Sequence, residues 1–257
     1  MSTGGHDIRS LSTGPSIVGE GRSASPLLVG FDADDTLWEN EQFYRLTEEA
    51  FAGLLADHCD AVDLSERLLA AERRNLALYG FGIKGFTLSM IETALELTDG
   101  ALPGSVVGRI LEIGRDMLLH PVDLLPAARE TLEALSGRHR LVLITKGDLF
   151  DQERKLAASG LGPLFDGIEI VSDKTEATYQ GIFARHGVSP DRCVMVGNSL
   201  KSDILPVLQC GGSAIFIPHD LTWAHEHAET PVDAPRFFQA ASLSAVPDLI
   251  AAIDRNA

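Results

Sequence analysis

Short apolar runs closed by polar or turn-forming residues recur five times along the chain. Runs of this length predict strands that are buried on both faces, as in a parallel sheet covered by helices. From position 121 onward they alternate with stretches of helical spacing, which is the pattern of βαβ units. The predicted strands are 27–32, 140–145, 168–172, 193–197 and 213–217, and the predicted helices are 127–136, 149–159, 175–186, 200–210 and 245–253.

A helical block without strands separates the first apolar run from the others. Its apolar residues recur at helical spacing around 43–55, 64–79, 86–97 and 106–118. Because the first strand belongs with the later ones, we interpret 42–118 as an all-helical domain inserted after that strand. The α/β core then comprises 27–41 and 119–257, and the Gly- and Ser-rich segment 1–26 is predicted to be a flexible tail.

The composition is that of a globular protein with a strong excess of acidic residues. Hydrophobic residues make up 45% of the 257 positions, and the formal net charge is −16. This charge would repel a phosphate backbone, so nucleic acid is not an expected partner. A small anionic substrate remains compatible with it, because a bound metal and a few lysines set the local field.

Targeting and disulfide signals are missing from the sequence. No apolar run approaches a membrane span, and the N-terminus lacks the basic-then-apolar pattern of a secretory signal, so neither a membrane partner nor export is expected. The cytoplasm is the predicted compartment. The three cysteines are odd in number and scattered, which favours free thiols over a disulfide framework or a zinc site. The sequence does not indicate an oligomeric state.

The most informative stretch is the first apolar run, which ends in Asp32, Asp34 and Asp35. In open α/β sheets the carboxyl ends of the strands form the ligand-binding crevice, so these acids are expected at its rim. Asp32 and Asp34 are two positions apart and point to the same side. Carboxylates this close repel each other, and a divalent cation or a bound proton relieves the repulsion.

Four further polar residues follow the ends of other predicted strands: Thr145, Lys174, Asn198 and Asp203. Carboxylates, a hydroxyl and an ammonium group together suit an electrophile that is itself anionic, as in phosphoryl transfer. Mg²⁺ is the expected metal, because it prefers hard oxygen ligands and needs only two or three from the protein.

The order of these motifs resembles that of the haloacid dehalogenase superfamily of phosphatases and phosphotransferases. The matching segments are DADDT at 32–36, the run ending in Thr145, Lys174, and GNSLKSD at 197–203. The resemblance covers about residues 27–217 and implies a Rossmann-like parallel sheet flanked by helices. The inserted helical block resembles the helical cap of one branch of this superfamily.

The resemblance also implies roles for individual residues. Asp32 is similar to the nucleophile that forms an aspartyl-phosphate, and Asp34 to the acid that protonates the leaving group and then activates water. Thr145 and Lys174 would hold the phosphoryl oxygens, with main-chain amides of Ala33, Asp34 and Lys146 completing the cradle. The implied Mg²⁺ ligands are the Asp32 carboxylate, the Asp34 carbonyl and Asp203.

Two positions distinguish this chain within the superfamily. Asn198 stands where many members have an acid, which predicts weaker metal binding or a contact through water. The dehalogenases that gave the superfamily its name lack an acid two residues after the nucleophile. Here that position is Asp34, and its presence favours phosphate ester chemistry. In the cap, Lys84 lies in a glycine-bounded loop and is predicted either to reach the substrate or to serve as an ordinary turn lysine.

The predicted function is therefore a Mg²⁺-dependent phosphatase acting on a small phosphorylated metabolite. The nearest alternative is a phosphomutase, and a 2-haloacid dehalogenase is less favoured. A non-catalytic member of the superfamily that binds phosphate is a further alternative. One other cluster, His225-Glu226-His227, does not have the spacing of a metal site and is predicted to be solvated surface.

Overall fold

The computed structural model describes residues 25–221, 223, 226 and 228–256. Within them a six-stranded parallel sheet forms the centre, in the order β3-β2-β1-β4-β5-β6. The predicted tail lies outside the described residues up to position 24. The strands are β1 (Leu28–Phe31), β2 (Arg140–Lys146), β3 (Gly167–Val171), β4 (Cys193–Gly197), β5 (Ser213–Phe216) and β6 (Phe237–Gln239).

Helices cover both faces of this sheet, which confirms the predicted α/β fold class. The helices that follow the insertion are α5 (Ala128–Leu135), α6 (Leu149–Ser159), α7 (Glu176–His186), α8 (Leu205–Gln209) and α9 (Val246–Asn256). One face of the sheet packs Phe31, Leu143 and Val196 into a core that α5 and α9 complete, while the other face packs Ile144 and Met195 against α7 and α8.

Four helices lie between β1 and α5 along the chain. They are α1 (Glu41–Leu54), α2 (Ala61–Tyr79), α3 (Ile83–Leu97) and α4 (Gly104–Leu119). These helices bury a hydrophobic cluster of their own, which includes Phe51, Leu68, Phe86, Met90 and Ile110. A separate cluster is what an independent domain needs, but the domain boundaries themselves stay a prediction. Among the described residues, no helix has the length and apolar composition that crossing a bilayer requires.

Two local predictions were wrong. The sixth strand was missed because its three residues are too few to show a periodic pattern. The single helix predicted over 200–210 begins instead as a π-helical turn, Leu200–Ile204, and becomes α-helical only in α8. Pro206 has no N–H to donate to the residue four positions earlier, which fits a break in the regular ladder at this point.

Candidate active site

The carboxyl ends of β1 and β4 bring Asp32 and Asp203 to one buried ammonium group. Lys174 Nζ donates to Asp32 Oδ1 and, at 2.6 Å, to Asp203 Oδ1. Thr36 Oγ1 donates to the other oxygen of Asp32 at 3.0 Å. All three members of the ion cluster are at most 7% exposed. The strand ends therefore converge as predicted, on a charged cluster that is shielded from solvent.

Burial and mutual repulsion control ionisation in this cluster. Burial raises the pKa of Asp32 to about 7, and Asp203 adds to the rise while Lys174 opposes it. Burial lowers the pKa of Lys174, but its attraction to Asp203 and Asp32 outweighs that effect and raises it overall. Lys174 is therefore a permanent cation that offsets charge on its two neighbours.

Asp34 lies in a separate set of hydrogen bonds. Its Oδ1 accepts from Trp38 Nε1 at 2.7 Å and from Lys155 Nζ at 3.1 Å, and its Oδ2 accepts from Gln152 Nε2 at 2.8 Å. Burial raises the pKa of Asp34, but Lys155 and these hydrogen bonds overcome burial and lower it. The contacts fix the orientation of the carboxyl group, which is a requirement for proton transfer in a defined direction.

The side-chain oxygen atoms around the ion cluster suit a small divalent cation as ligands. Asp32 and Asp203 each place an oxygen on the same ammonium group, so both reach one cationic position. Asn198 Oδ1 lies nearby and accepts from Thr36 Oγ1 at 3.2 Å. Carboxylate, amide and carbonyl oxygens are the ligands that Mg²⁺ prefers. The residues present therefore fit the predicted metal, and their role as its ligands stays a prediction.

The remaining predicted site residues have different surroundings. Thr145 is buried at the end of β2. Ala33 is fully buried and its carbonyl accepts from Leu37 N at 2.8 Å. Lys84 lies in the first turn of α3, so its predicted placement in a loop is wrong. It pairs with Asp148 at 2.9 Å across the boundary between the helical block and the core, and it does not line the site cavity. The predicted roles of these residues in substrate binding stay predictions.

A cavity of about 160 Å³ lies above this cluster, between the core and helices α1 to α3. The helical side contributes three carboxylates, Glu41, Glu48 and Glu72, together with Tyr44 and other side chains. Burial raises the pKa of Glu41 and of Glu72 to about 7, and neighbouring acids add to both shifts. The cavity is therefore bounded on one side by the charged cluster of the core and on the other by an acidic roof formed by Glu41, Glu48 and Glu72.

Glu226 also reaches this cavity, from the segment that follows β5. Its carboxylate accepts hydrogen bonds from Lys146 Nζ, from Ser199 Oγ and, at 2.5 Å, from Ser202 Oγ. Burial raises the pKa of Glu226, but Lys146 and the hydroxyl groups reverse the shift and hold the pKa at about 2. The prediction of solvated surface is wrong for Glu226, while His225 and His227 lie outside the described residues.

Comparison with known proteins identifies the family. The family model for a haloacid dehalogenase-like hydrolase matches residues 27–211. The chain belongs to the haloacid dehalogenase-like hydrolase family. This confirms the resemblance inferred from the motifs, and the match spans strands β1 to β4 and the inserted helices.

Relatives of this hydrolase include two curated phosphatases. It is 29% identical over 215 residues to the glyceraldehyde 3-phosphate phosphatase of Methanothermobacter thermautotrophicus, covering 78% of this chain and 90% of that protein. It is 30% identical over 130 residues to the N-acylneuraminate-9-phosphatase of Mus musculus, covering 48% of this chain and 50% of that protein.

Solved structures of the family have the same fold. A haloacid dehalogenase-like family hydrolase from Xanthomonas campestris is 43% identical with a TM-score of 0.81, covering 90% of this chain and 93% of that one. The YfnB hydrolase of Bacillus subtilis, solved with bound magnesium, has a TM-score of 0.60 at 16% identity, covering 88% of this chain and 98% of that one. At that identity, the second likeness shows the fold alone.

The residues that form hydrogen bonds to the predicted catalytic aspartates were not predicted from the sequence. Gln152 and Lys155 are three positions apart on α6, so they share a helix face, and this spacing was a usable signal. Trp38 and Thr36 are local to the aspartate motif and could also have been inferred. Glu226 stood out only as a member of a His-Glu-His cluster, and no sequence signal indicates its contact with Lys146, which depends on tertiary packing.

We predict that Gly197→Ala displaces Asp203. A Cβ at position 197 would lie 2.3 Å from Asp203 Oδ2 and 2.4 Å from its Cγ. Relieving that overlap must move a buried carboxylate, so urea unfolding is expected to register a loss of about 1–3 kcal/mol. The control is Gly108→Ala in α4, where a Cβ meets nothing within 4 Å and a gain of up to about 1 kcal/mol is expected. Equal changes in the free energy of unfolding of the two variants would contradict the close packing of Gly197 against Asp203.

The ion pair of Glu226 makes a second prediction, for stability against pH. Because its folded pKa of about 2 lies below the ordinary 4.5, its contribution is present above pH 4.5 and lost as the pH falls through 2. The free energy of unfolding of the wild type is expected to exceed that of Glu226→Gln by about 3 kcal/mol near pH 7 and by about half of that near pH 3. Urea unfolding at both pH values measures this, and a pH-independent difference would refute it.

Proposed function

We propose that this hydrolase is a Mg²⁺-dependent phosphatase that acts on a small phosphorylated metabolite through an aspartyl-phosphate on Asp32. The observation that carries the proposal is the buried Asp32–Lys174–Asp203 cluster beside a second, independently held carboxyl group on Asp34. The names of the two curated phosphatases support the same reaction class. We also propose that the four inserted helices act as the cap that covers the substrate.

The proposed first step transfers the phosphoryl group to the protein. An Asp32 carboxylate oxygen attacks phosphorus and the bond from phosphorus to the ester oxygen breaks. The departing oxygen takes a proton from Asp34, whose protonated form the negative charge of the bound phosphate ester favours, against the contacts that lower its pKa in the substrate-free protein. Lys174 and the Thr145 hydroxyl hold phosphoryl oxygens during this transfer, with the amides of Ala33 and Lys146. The alcohol then leaves, and Asp34 is left as a carboxylate.

The second step returns Asp32 to its starting state. Asp34 accepts a proton from water as the water oxygen attacks phosphorus, the acyl phosphate bond breaks, and inorganic phosphate leaves. Asp34 thus serves as acid and then as base, and its contacts with Trp38, Gln152 and Lys155 keep one geometry for both steps.

The metal belongs to the same proposal. Asp32, Asp203, the carbonyl oxygen of Asp34 and the Asn198 side chain would hold it, Asn198 either directly or through water. When bound, Mg²⁺ supplies positive charge that stabilises the transferring phosphoryl group. Lys174 shares the same two carboxylates with the metal and competes with it for their negative charge. We therefore expect moderate metal affinity.

A direct assay tests the proposal. Purified protein is incubated with p-nitrophenyl phosphate and a panel of phosphorylated metabolites, and released phosphate is measured with Mg²⁺ and with EDTA. We expect turnover of at least one substrate only with the metal. Parallel vials with 2-chloropropionate test the dehalogenase alternative, and chloride release with no phosphate release would overturn the phosphatase assignment. A shift of phosphate between substrate positions without net release would indicate the mutase.

A further inference from the structure

The cavity contains three lysines that line it, and each is paired with a carboxylate. Lys155 pairs with Asp34, and Lys174 pairs with Asp32. Lys146 pairs with Glu226. The first two pairs join residues of the strand ends and α6. Only the third pair, among these lining lysines, relies on a residue from the irregular segment after β5.

The partners of Glu226 form a converging set of donors. Lys146 Nζ donates to Oε1, and Ser199 Oγ and Ser202 Oγ donate to Oε2. Lys146 Nζ also donates to Ser202 Oγ at 2.8 Å and lies 4.2 Å from the centre of the Phe81 ring. One ammonium and two hydroxyl groups around one carboxylate are a complete set of ligands for a small carboxylate anion.

These donors are held by the frame of the core. Lys146 ends β2, and Ser199 and Ser202 belong to the turn between β4 and α8. Ser199 N donates to Asp203 Oδ2 at 3.0 Å, and Tyr179 Oη donates to Ser202 O at 3.1 Å. The main chain of Ser199 and Ser202 is therefore held by contacts that do not involve Glu226, and the donor set lines the same cavity as Asp32.

We propose that Lys146, Ser199 and Ser202 form a second anion-binding subsite, that Glu226 fills it in the substrate-free protein, and that a carboxylate on the substrate displaces Glu226. This inference rests on the proposed phosphatase function. It assigns the substrate to the phosphorylated carboxylic acids, with the phosphoryl group at Asp32 and the carboxylate at Lys146.

Displacing Glu226 lowers the affinity for a carboxylate ligand, while contacts with the three donors raise it, so selectivity requires the second effect to exceed the first. A ligand that must expel Glu226 binds with an affinity reduced by the fraction of protein in which the subsite is open. A phosphate ester without a carboxylate leaves Glu226 in place and gains nothing from the three donors. Trp223, three residues before Glu226, also lines the cavity and contacts Phe81 edge to face, with 6.1 Å between the ring centres.

The test compares two ligands that differ only at one carbon. Glycerol 3-phosphate carries an alcohol where 3-phosphoglycerate carries a carboxylate. Isothermal titration measures their dissociation constants on the full chain carrying Asp32→Asn, which prevents turnover. Glu226→Gln is added to remove the competing charge while keeping the shape, Lys146→Gln is added separately to remove the ammonium, and the exposed Glu229→Gln on the same segment is the control.

Opposite shifts are expected from the two variants. Glu226→Gln tightens 3-phosphoglycerate binding at least about fivefold relative to glycerol 3-phosphate. Lys146→Gln weakens it at least about tenfold on the same relative scale, while the control leaves the ratio unchanged within about twofold. A ratio that stays constant in both variants, or no binding of 3-phosphoglycerate to the Glu226 variant, overturns the subsite. Failure of the phosphatase proposal appears separately, as an absence of phosphate release by the wild-type protein.

Discussion

Asp32→Asn is expected to lower phosphate release at least about a thousandfold while leaving the fold intact. The amide keeps the size of the carboxylate and can still accept from Thr36 Oγ1, which donates at 3.0 Å in the wild type. It has no anionic oxygen with which to attack phosphorus, so the covalent step is lost. The rate is measured as released phosphate at saturating substrate with Mg²⁺.

The stability of this variant gives an independent check. Since burial and Asp203 raise the pKa of Asp32 to about 7, ionising Asp32 costs folding free energy at higher pH. The neutral amide removes that cost, so thermal unfolding at pH 8 is expected at an equal or higher temperature than in the wild type. Asp233→Asn, on the exposed surface, is the matched control and is expected to change neither quantity. Wild-type activity in Asp32→Asn would refute the nucleophile assignment.

Lys174→Met is expected to cause the largest loss of stability among single substitutions at the site. The lysine is 4% exposed and its ammonium is shared by Asp32 and Asp203. Removing it leaves two buried carboxylates facing each other without a cation, which costs about 3–5 kcal/mol. Urea unfolding in EDTA at pH 7 measures this loss, and phosphate release in Mg²⁺ is expected to fall as well.

The comparison for this variant is another lysine of the site region. Lys84 pairs with Asp148 at 2.9 Å, but its side chain is 56% exposed. Solvent screens that pair, so Lys84→Met is expected to lose less than about 1 kcal/mol. Equal losses from the two substitutions would show that the Lys174 cluster is not the electrostatic centre of the site.

Much of the fold and the centre of the site could be predicted from the sequence. Strands buried on both faces leave continuous apolar runs, and the carboxyl ends of parallel strands meet at one edge. Residues as distant along the chain as Asp32, Lys174 and Asp203 could therefore be brought together by topology alone, and their contacts follow that expectation.

The rest depends on information that a single sequence does not display. The path of an irregular segment is decided by packing against distant elements, so Glu226 could not be assigned to Lys146 in advance. The turn at 200–204 follows a helical pattern and departs from it only in its hydrogen bonding. The roof acids Glu41, Glu48 and Glu72 belong to different turns and helices, and their proximity is a property of the packed structure.

The most direct test of the account is detection of the phosphorylated aspartate. An Asp34→Asn variant retains the nucleophile but lacks the acid of the first step and the base of the second. With p-nitrophenyl phosphate the leaving phenolate needs no proton, so the second step is slowed more than the first and the intermediate is expected to accumulate. Acid quenching after mixing with p-nitrophenyl phosphate and Mg²⁺, followed by intact and peptide mass measurement, is expected to find one added phosphoryl group on Asp32. The added mass is expected to be absent in the double variant Asp32→Asn, Asp34→Asn. Phosphate release by the wild type with no phosphoenzyme in Asp34→Asn, or with the label on another residue, would contradict the mechanism.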